Sequence, residues 1–571
     1  MAAALKSKPV HPIGGAEEEH PALDAILGAN PFVGIDAAQI VGTFARVVGH
    51  LAGHPRAVAS RLAQLTIEFA QITAGLSDVE PEQSDKRFTD PAWQEHPLYH
   101  RLMQSYLAWR GAMHDLVGDE DFGDWKDAGQ ARFVMTLLTE ALAPTNLLAG
   151  NPAAVKRVFD TAGLSLVAGL RNFAVDLFTN GGMPQQVDKR PFEIGRNIGV
   201  SPGAVVYRNP VCEVIQYTPA TERVFHRPLL LIPPQINKFY IMDLAPGRSF
   251  IEYAVKRGIQ VFTISWRNPT PADREWGIDE YVSSCKEAIE AACTITANPD
   301  CNVVGVCAGG ITSSLLLGHL TAAADPRVHA MTLLVTMLDT QAQSMVGMFA
   351  TEDAIRAAIR RSKRKGVLDG AEMARVFAWL RPNDLVWNYW VNNYLMGKQP
   401  PPFDILFWNA DSTCLPARLH EGFLDLFLRN PLVNGSEVTV LGTPINLRDV
   451  KNDLYLVAGM TDHICAWRAC YRAATMFGGK AEFVLGSSGH IQSLVNPPGN
   501  LKARFYVNQR LPKDADAWLR GATENKGSWW DHWLKWLSAR SGEDVPAPKS
   551  TGGNGYTPSD PAPGTYVHER H

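Results

Sequence analysis

The 571-residue chain has no run approaching the roughly 18 uninterrupted apolar residues that a membrane-crossing helix needs. The reading therefore expects no membrane span. Charge of one sign is also missing: 54 Lys and Arg against 58 Asp and Glu leave a net charge of -4. Nothing electrostatic then points to nucleic acid as a partner. The opening residues Met1-Ala-Ala-Ala-Leu-Lys6 lack the apolar core of a secretory signal, so a cytoplasmic location is expected. None of the eight cysteines forms a Cys-x-x-Cys pair, which argues against a zinc knuckle, any other metal site or a dithiol redox motif. Most of them read as small buried apolar residues. Tryptophan, by contrast, is plentiful at 15, and large amphipathic rings suit work beside an apolar phase as well as core packing.

Residues 1–30 are rich in Ala, Gly, Pro and Glu and read as disordered. Over 31–190 apolar residues recur at three- and four-residue spacing, as in Ile40, Val41, Phe44, Val47 and again Leu62, Leu65, Phe69, Ile72. That spacing predicts an all-helical N-terminal domain. After Pro191 short apolar runs alternate with helical ones: Leu229–Ile232, Val261–Ser265, Asn302–Val304, Ala330–Thr336, Leu454–Ala458 and Ala481–Leu485. Continuous apolar strands between helices predict a parallel sheet covered on both faces, filling 191–541. The rhythm stops between about 340 and 450, which reads as a cap over the sheet. Residues 542–571 are rich in Pro and Gly and read as a tail.

The chemistry is written in Gly305-Val-Cys307-Ala-Gly-Gly310, which follows one strand and opens a helix. A nucleophile framed by small residues at a strand-to-helix turn is the nucleophile elbow of α/β-hydrolases. The fold expected is therefore an α/β-hydrolase fold with a large cap insertion and the all-helical N-terminal domain. The elbow sets the order nucleophile, acid, histidine along the chain. Leu454–Ala458 leads into Gly459-Met-Thr-Asp462-His463, and Ala481–Leu485 leads into Gly486-Ser-Ser-Gly-His490. Both ends lie where open α/β sheets put their chemistry. Cys307, His490 and Asp462 are thus the expected nucleophile, base and orienting acid. Asp339 is a competing acid, His463 a competing histidine, and Asp462 alternatively caps the helix that begins near Ala466. The oxyanion is expected to meet the Ala308 N–H and a second N–H around Gln235 and Ile236. Cysteine in place of serine points to thioester exchange, which keeps the acyl group activated for transfer to an alcohol. Water must then be kept out, which gives the cap a purpose.

Several longer runs carry a resemblance. Pro233–Tyr240 (PPQINKFY), Ser265–Pro269 (SWRNP), Trp387–Tyr394 (WNYWVNNY), Trp408–Pro416 (WNADSTCLP) and Gly489–Gly499, together with the elbow, are similar to signatures of the polyhydroxyalkanoate synthases. Similarity runs from roughly Asn30 to the end. It implies polymerisation of (R)-3-hydroxyacyl-coenzyme A into polyester, with coenzyme A released and no cofactor beyond that substrate. Cys307 then matches the acyl-carrying nucleophile, His490 the base and Asp462 the third catalytic residue. Either Asp462 or His490 activates the incoming 3-hydroxyl. Thr270, where short-chain members often carry aspartate, resembles the medium-chain branch together with Arg274–Gly277 and Arg381–Trp387. The resemblance also implies a homodimer on the surface of cytoplasmic polyester granules, in contact with the growing chain and granule proteins. A thioesterase of the same fold, a short-chain synthase and a non-catalytic granule scaffold are the alternatives.

Overall fold

A computed structural model describes residues 37–83, 85–118, 122, 124–340, 345–348, 350–380, 382–434, 438–462 and 464–570. The expected disordered segment 1–30 and the competing His463 lie outside the described residues.

Helices fill the region from Ala37 to Thr179, with no strand among its described residues. They enclose two small cores of their own, one around Phe88, Trp93, Met103 and Tyr106 and one around Val47, Val117, Ala131 and Met135. Local chemistry sets several helix starts. Asp124 accepts from the Lys126 and Asp127 amides ahead of Trp125–Ala141, and Asn151 accepts from Ala154 ahead of Pro152–Asp160.

The strands that follow are β1 (Gly203–Arg208), β2 (Cys212–Tyr217), β3 (Arg223–Phe225), β4 (Leu229–Ile232), β5 (Val261–Trp266), β6 (Cys301–Val306) and β7 (Val328–Leu334). Next come β8 (Val367–Leu368), β9 (Leu415–Pro416), β10 (Val438–Val440), β11 (Thr443–Ile445), β12 (Asp453–Gly459) and β13 (Ala481–Gly486). The last are β14 (Arg504–Val507), β15 (Thr523–Lys526) and β16 (Asp544–Pro546). Ten of them form one sheet in the order β1-β2-β5-β4-β6-β7-β12-β13-β14-β15. Its middle, from β5 to β13, is parallel, and antiparallel strands close both sides. Every residue of β4, β5 and β6 is buried, as strands covered on both faces must be. This is the expected α/β-hydrolase fold. The pair β14–β15 lies beyond the strands expected from the sequence.

Between β7 and β12 the chain makes helices, two wide helical turns at Asn383–Trp387 and Trp390–Leu395, the short hairpin β10–β11, and an antiparallel pairing of the two-residue strands β8 and β9. The second wide turn clamps the N-terminal helices. Tyr394 donates to Asp176 at 2.8 Å, and Asn172 donates to the Asn393 carbonyl at 3.0 Å. The Trp387–Tyr394 signature therefore joins domains and does not line the catalytic centre.

The expected tail at 542–571 needs correction. β16 pairs with β3, the Val205 amide donates to the Asp560 carbonyl, and Ala562 donates back to Gly203. The buried Glu213 carboxylate accepts from the Thr565 and Tyr566 amides. Proline and glycine at these positions form an ordered strap along the outer strand β1. An edge strand leaves a row of unpaired backbone groups, and covering them is what this extended segment does.

Candidate active site

Cys307 sits at the end of β6 with φ 51° and ψ -118°, a conformation that L-residues avoid. Its surroundings hold it there. The Cys307 amide donates to the Leu334 carbonyl at 2.9 Å, and the Gly310 amide donates to the Cys307 carbonyl. The flanking glycines are required by space. A Cβ on Gly309 would stand 2.3 Å from the Ile232 carbonyl oxygen, and one on Gly310 would stand 2.0 Å from Thr336 Oγ1. The turn feeds into the helix Ala308–Ala322, whose first amides have no intrahelical acceptor.

Strand register explains why the acid and the histidine meet. β12 and β13 pair in parallel with Gly459 beside Gly486, so the loops leaving both ends run side by side. Asp462 follows the first end and His490 the second, and His490 Nδ1 lies 2.7 Å from Asp462 Oδ2. The pair is sealed: the His490 side chain is 6% exposed and that of Asp462 not at all. The other Asp462 oxygen accepts from the Ile464 and Cys465 amides, each at 2.9 Å. Asp462 thus builds its own turn and holds the imidazole at once; it does not cap the helix Trp467–Ala473, whose N-terminus has no side-chain cap. The competing acid, Asp339, is engaged elsewhere, by Arg472 at 2.5 Å and by Asn430 at 2.8 Å.

Burial alone would pull His490 down, but the Asp462 charge and hydrogen bond, with help from Cys307, raise it to about 10. Cys307 is pushed well above the usual thiol range by its hydrogen bond with Cys465 and by burial, while His490 pulls it down. Proton transfer from thiol to imidazole is thus helped on the histidine side by a fixed negative charge. Cys465 is the residue that the sequence reading missed. Its thiol lies beside that of Cys307, and its side chain lines the same cavity.

That cavity, about 70 Å³, is walled by Cys307, Ala308 and His490 and by apolar side chains such as Ile236, Met337, Trp408, Phe427 and Leu494. Trp408 and Phe427 come from the segment between β7 and β12, which forms the roof. The loop after β4 is stitched to that roof: Thr413 donates to the Ile236 carbonyl and Trp408 Nε1 to the Lys238 carbonyl. Trp266 Nε1 donates to the Pro233 carbonyl, and Asn268 accepts from the Cys414 amide. Three of the sequence signatures therefore interlock over the nucleophile. Of the two residues expected around the oxyanion, Ile236 lines the cavity. Gln235 does not; its side-chain amide turns away to Thr312 Oγ1 at 2.9 Å. Thr270 caps the turn Pro271–Asp273 and is not among the cavity residues.

Comparison with known proteins agrees with this architecture. Residues 84–254 match the family described as Poly-beta-hydroxybutyrate polymerase (PhaC) N-terminus, and residues 228–497 match the alpha/beta hydrolase fold. The chain is 50% identical to poly(3-hydroxyalkanoate) polymerase 1 of Ectopseudomonas oleovorans, over 97% of this chain and 99% of that one. Polymerase 2 of the same organism is 48% identical over 95% and 96%. The polymerase subunit PhaC of Cupriavidus necator is 39% identical over 85% and 83%. At this identity and coverage, the chain belongs to the poly(3-hydroxyalkanoate) polymerases, acyltransferases built on the α/β-hydrolase fold.

Proposed function

We propose that Cys307, His490 and Asp462 carry the polymerisation as a thioester relay. The supporting observation is the unbroken hydrogen-bonded chain from Asp462 through His490 to Cys307 at the carboxyl ends of three parallel strands. His490 takes the Cys307 proton, and the thiolate attacks the acyl carbon of an (R)-3-hydroxyacyl-coenzyme A. The bond from that carbon to the coenzyme A sulfur breaks, and the imidazolium returns the proton to the departing thiolate. One thioester has replaced another at little cost in free energy. The 3-hydroxyl of a second acyl unit, deprotonated by His490 or Asp462, then attacks acyl-Cys307. The bond from the acyl carbon to Cys307 Sγ breaks as a more stable oxygen ester forms, and the hydroxyl proton passes to the departing Cys307 thiolate, which is free to be acylated again. The Ala308 amide serves the oxyanion, with a second amide from the loop at Gln235 and Ile236. The apolar roof keeps water from diverting the acyl group. The reading needs no metal or cofactor; coenzyme A arrives with the substrate and leaves as product.

The monomers proposed are medium-chain units, about six to fourteen carbons long, on the resemblance carried by Thr270 and Arg274–Gly277. Residence on the granule surface, contact with granule proteins and a homodimeric state rest on the same resemblance. Supporting the apolar surface are Leu164, Val167, Leu170 and Phe178, all exposed on one helix of the N-terminal domain. Among the described residues, no helix is long and apolar enough to cross a membrane.

The test is coenzyme A release from 3-hydroxybutyryl- and 3-hydroxydecanoyl-coenzyme A, with the product sized, for the wild type and Cys307→Ala. High-mass polyester from the wild type alone, made faster from the longer substrate, is the expected result. Free hydroxy acid as the sole product would make the chain a thioesterase.

A further inference from the structure

The polymerisation uses one thiol, yet a second stands in the cavity. Cys465 is three residues after Asp462, and the turn that Asp462 Oδ1 organises swings the Cys465 side chain back over the elbow. Ligand atoms of Asp462, Cys465 and His490 all lie within 4.8 Å of one another, and all three residues are buried. The Cys307 and Cys465 thiols lie within hydrogen-bonding reach of each other, and Cys307 reaches His490. The Asp462 carboxylate is already engaged, with one oxygen on His490 and the other on two backbone amides. It suits the outer role of holding a ligating imidazole by its far nitrogen. Two sulfurs and one imidazole nitrogen are then left for an ion. Two thiolates and a histidine with one open position are a known donor set for zinc, and soft thiolates select soft ions.

We propose that Cys307, Cys465 and His490, with Asp462 behind the ring, form a reversible binding site for a soft divalent cation, zinc or cadmium, which occupies the nucleophile and stops polymerisation. Binding forms two sulfur–metal bonds and one nitrogen–metal bond. Both S–H bonds break, their two protons pass to the buffer together with any proton on the ligating His490 nitrogen, and no electron changes hands. The apolar wall favours the bound state, because a doubly charged ion neutralised by two thiolates leaves no net charge at the ligands. Bound metal also leaves His490 without a lone pair for catalysis. The inhibitory consequence rests on the catalytic reading given above; the binding itself does not.

The test uses the full chain in a non-chelating phosphine reductant and titrates cadmium ion alone. It follows the ultraviolet sulfur-to-cadmium charge-transfer absorption, with proton release read in parallel in dilute buffer. The wild type is expected to saturate at one ion per chain with at least two protons released, and a chelator is expected to reverse both. Cys465→Ala, and Cys465→Ser should the alanine variant fold poorly, are each expected to weaken binding at least about a hundredfold. Coenzyme A release is measured alongside, each variant scaled to its own metal-free rate. The wild type should lose nearly all activity at saturation, and the Cys465 variants should keep theirs at the same cadmium concentration. An equal band in wild type and Cys465 variants, or no stoichiometric band in the wild type, would overturn the metal site and leave the catalytic reading intact. A band that needs both cysteines, in a saturated protein that still polymerises at full rate, would instead sink the catalytic role of Cys307.

Discussion

Asp462→Asn separates the two acids that the strand order allows. Asparagine keeps an oxygen for the Ile464 and Cys465 amides, so the turn survives. The group facing His490 Nδ1 becomes an amide N–H donor in place of a carboxylate oxygen 2.7 Å away. The ring must then accept at Nδ1 and carry its proton on the nitrogen that faces Cys307, where it can no longer take the thiol proton. The charge that raises His490 to about 10 is lost as well. In hydrolase triads the same exchange costs about 10⁴ in kcat. The expected loss here is about 10³–10⁴-fold, or about 4–5 kcal/mol of barrier. Asp339→Asn is the control. Its ion-pair partner Arg472 is 59% exposed and can return to water when the charge is removed, and an asparagine oxygen still accepts from Asn430. Activity per folded molecule should fall less than about tenfold. The assay is single-turnover release of coenzyme A, scaled to the folded fraction by circular dichroism. A loss below tenfold for Asp462→Asn, with a thousandfold loss for Asp339→Asn, would refute the assignment.

Three further outcomes follow from the same geometry. Gly310→Ala puts a Cβ 2.0 Å from Thr336 Oγ1, so its urea midpoint should drop by an amount worth about 2–3 kcal/mol, and adding Thr336→Ala should restore part of it; an unchanged midpoint would mean the elbow is not packed this tightly. Because the folded-state pKa of His490 is raised from 6.5 to about 10, its stabilising contribution is whole below pH 6.5 and fades as pH climbs through about 10. The wild type should therefore lose more melting temperature than His490→Gln between pH 7 and pH 10, and parallel curves would contradict the pairing. Removing 559–571 strips the Thr565 and Tyr566 donors from Glu213, whose side chain is fully buried. The truncated chain should lose about 3–5 kcal/mol and become protease-sensitive; an unchanged melting temperature would show the strap to be dispensable.

The parts of the site legible in the sequence are those written locally. Gly305, Gly309 and Gly310 announce the elbow because the turn excludes a Cβ there, and Asp462 and His490 each stand a few residues past an apolar strand. What escaped depends on distant chain. Cys465 looks like an ordinary buried cysteine until the Asp462 turn folds it back onto Cys307, which comes from another strand. The Gln235 side chain turns to Thr312 because the elbow helix offers it an acceptor, a contact 77 residues away. Residues 542–571 carry the composition of a loose tail, yet backbone groups left open along β1 order them. β14 and β15 are short, and β15, Thr-Glu-Asn-Lys, has no buried residue to betray a strand. Trp387–Tyr394 stands out in the sequence only as a family signature, and its use as a clamp on an N-terminal helix depends on Asp176 and Asn172, more than two hundred residues away.

The central claim is that the acyl chain rides on Cys307. Its most direct test is to mix the protein with a 3-hydroxyacyl-coenzyme A, quench in acid, digest, and weigh the peptides carrying each of the eight cysteines. The account predicts hydroxyacyl mass on the Cys307 peptide alone, present within the first turnover and absent from Cys307→Ala. Acyl mass on the Cys465 peptide instead, or release of coenzyme A by Cys307→Ala at the wild-type rate, would contradict it.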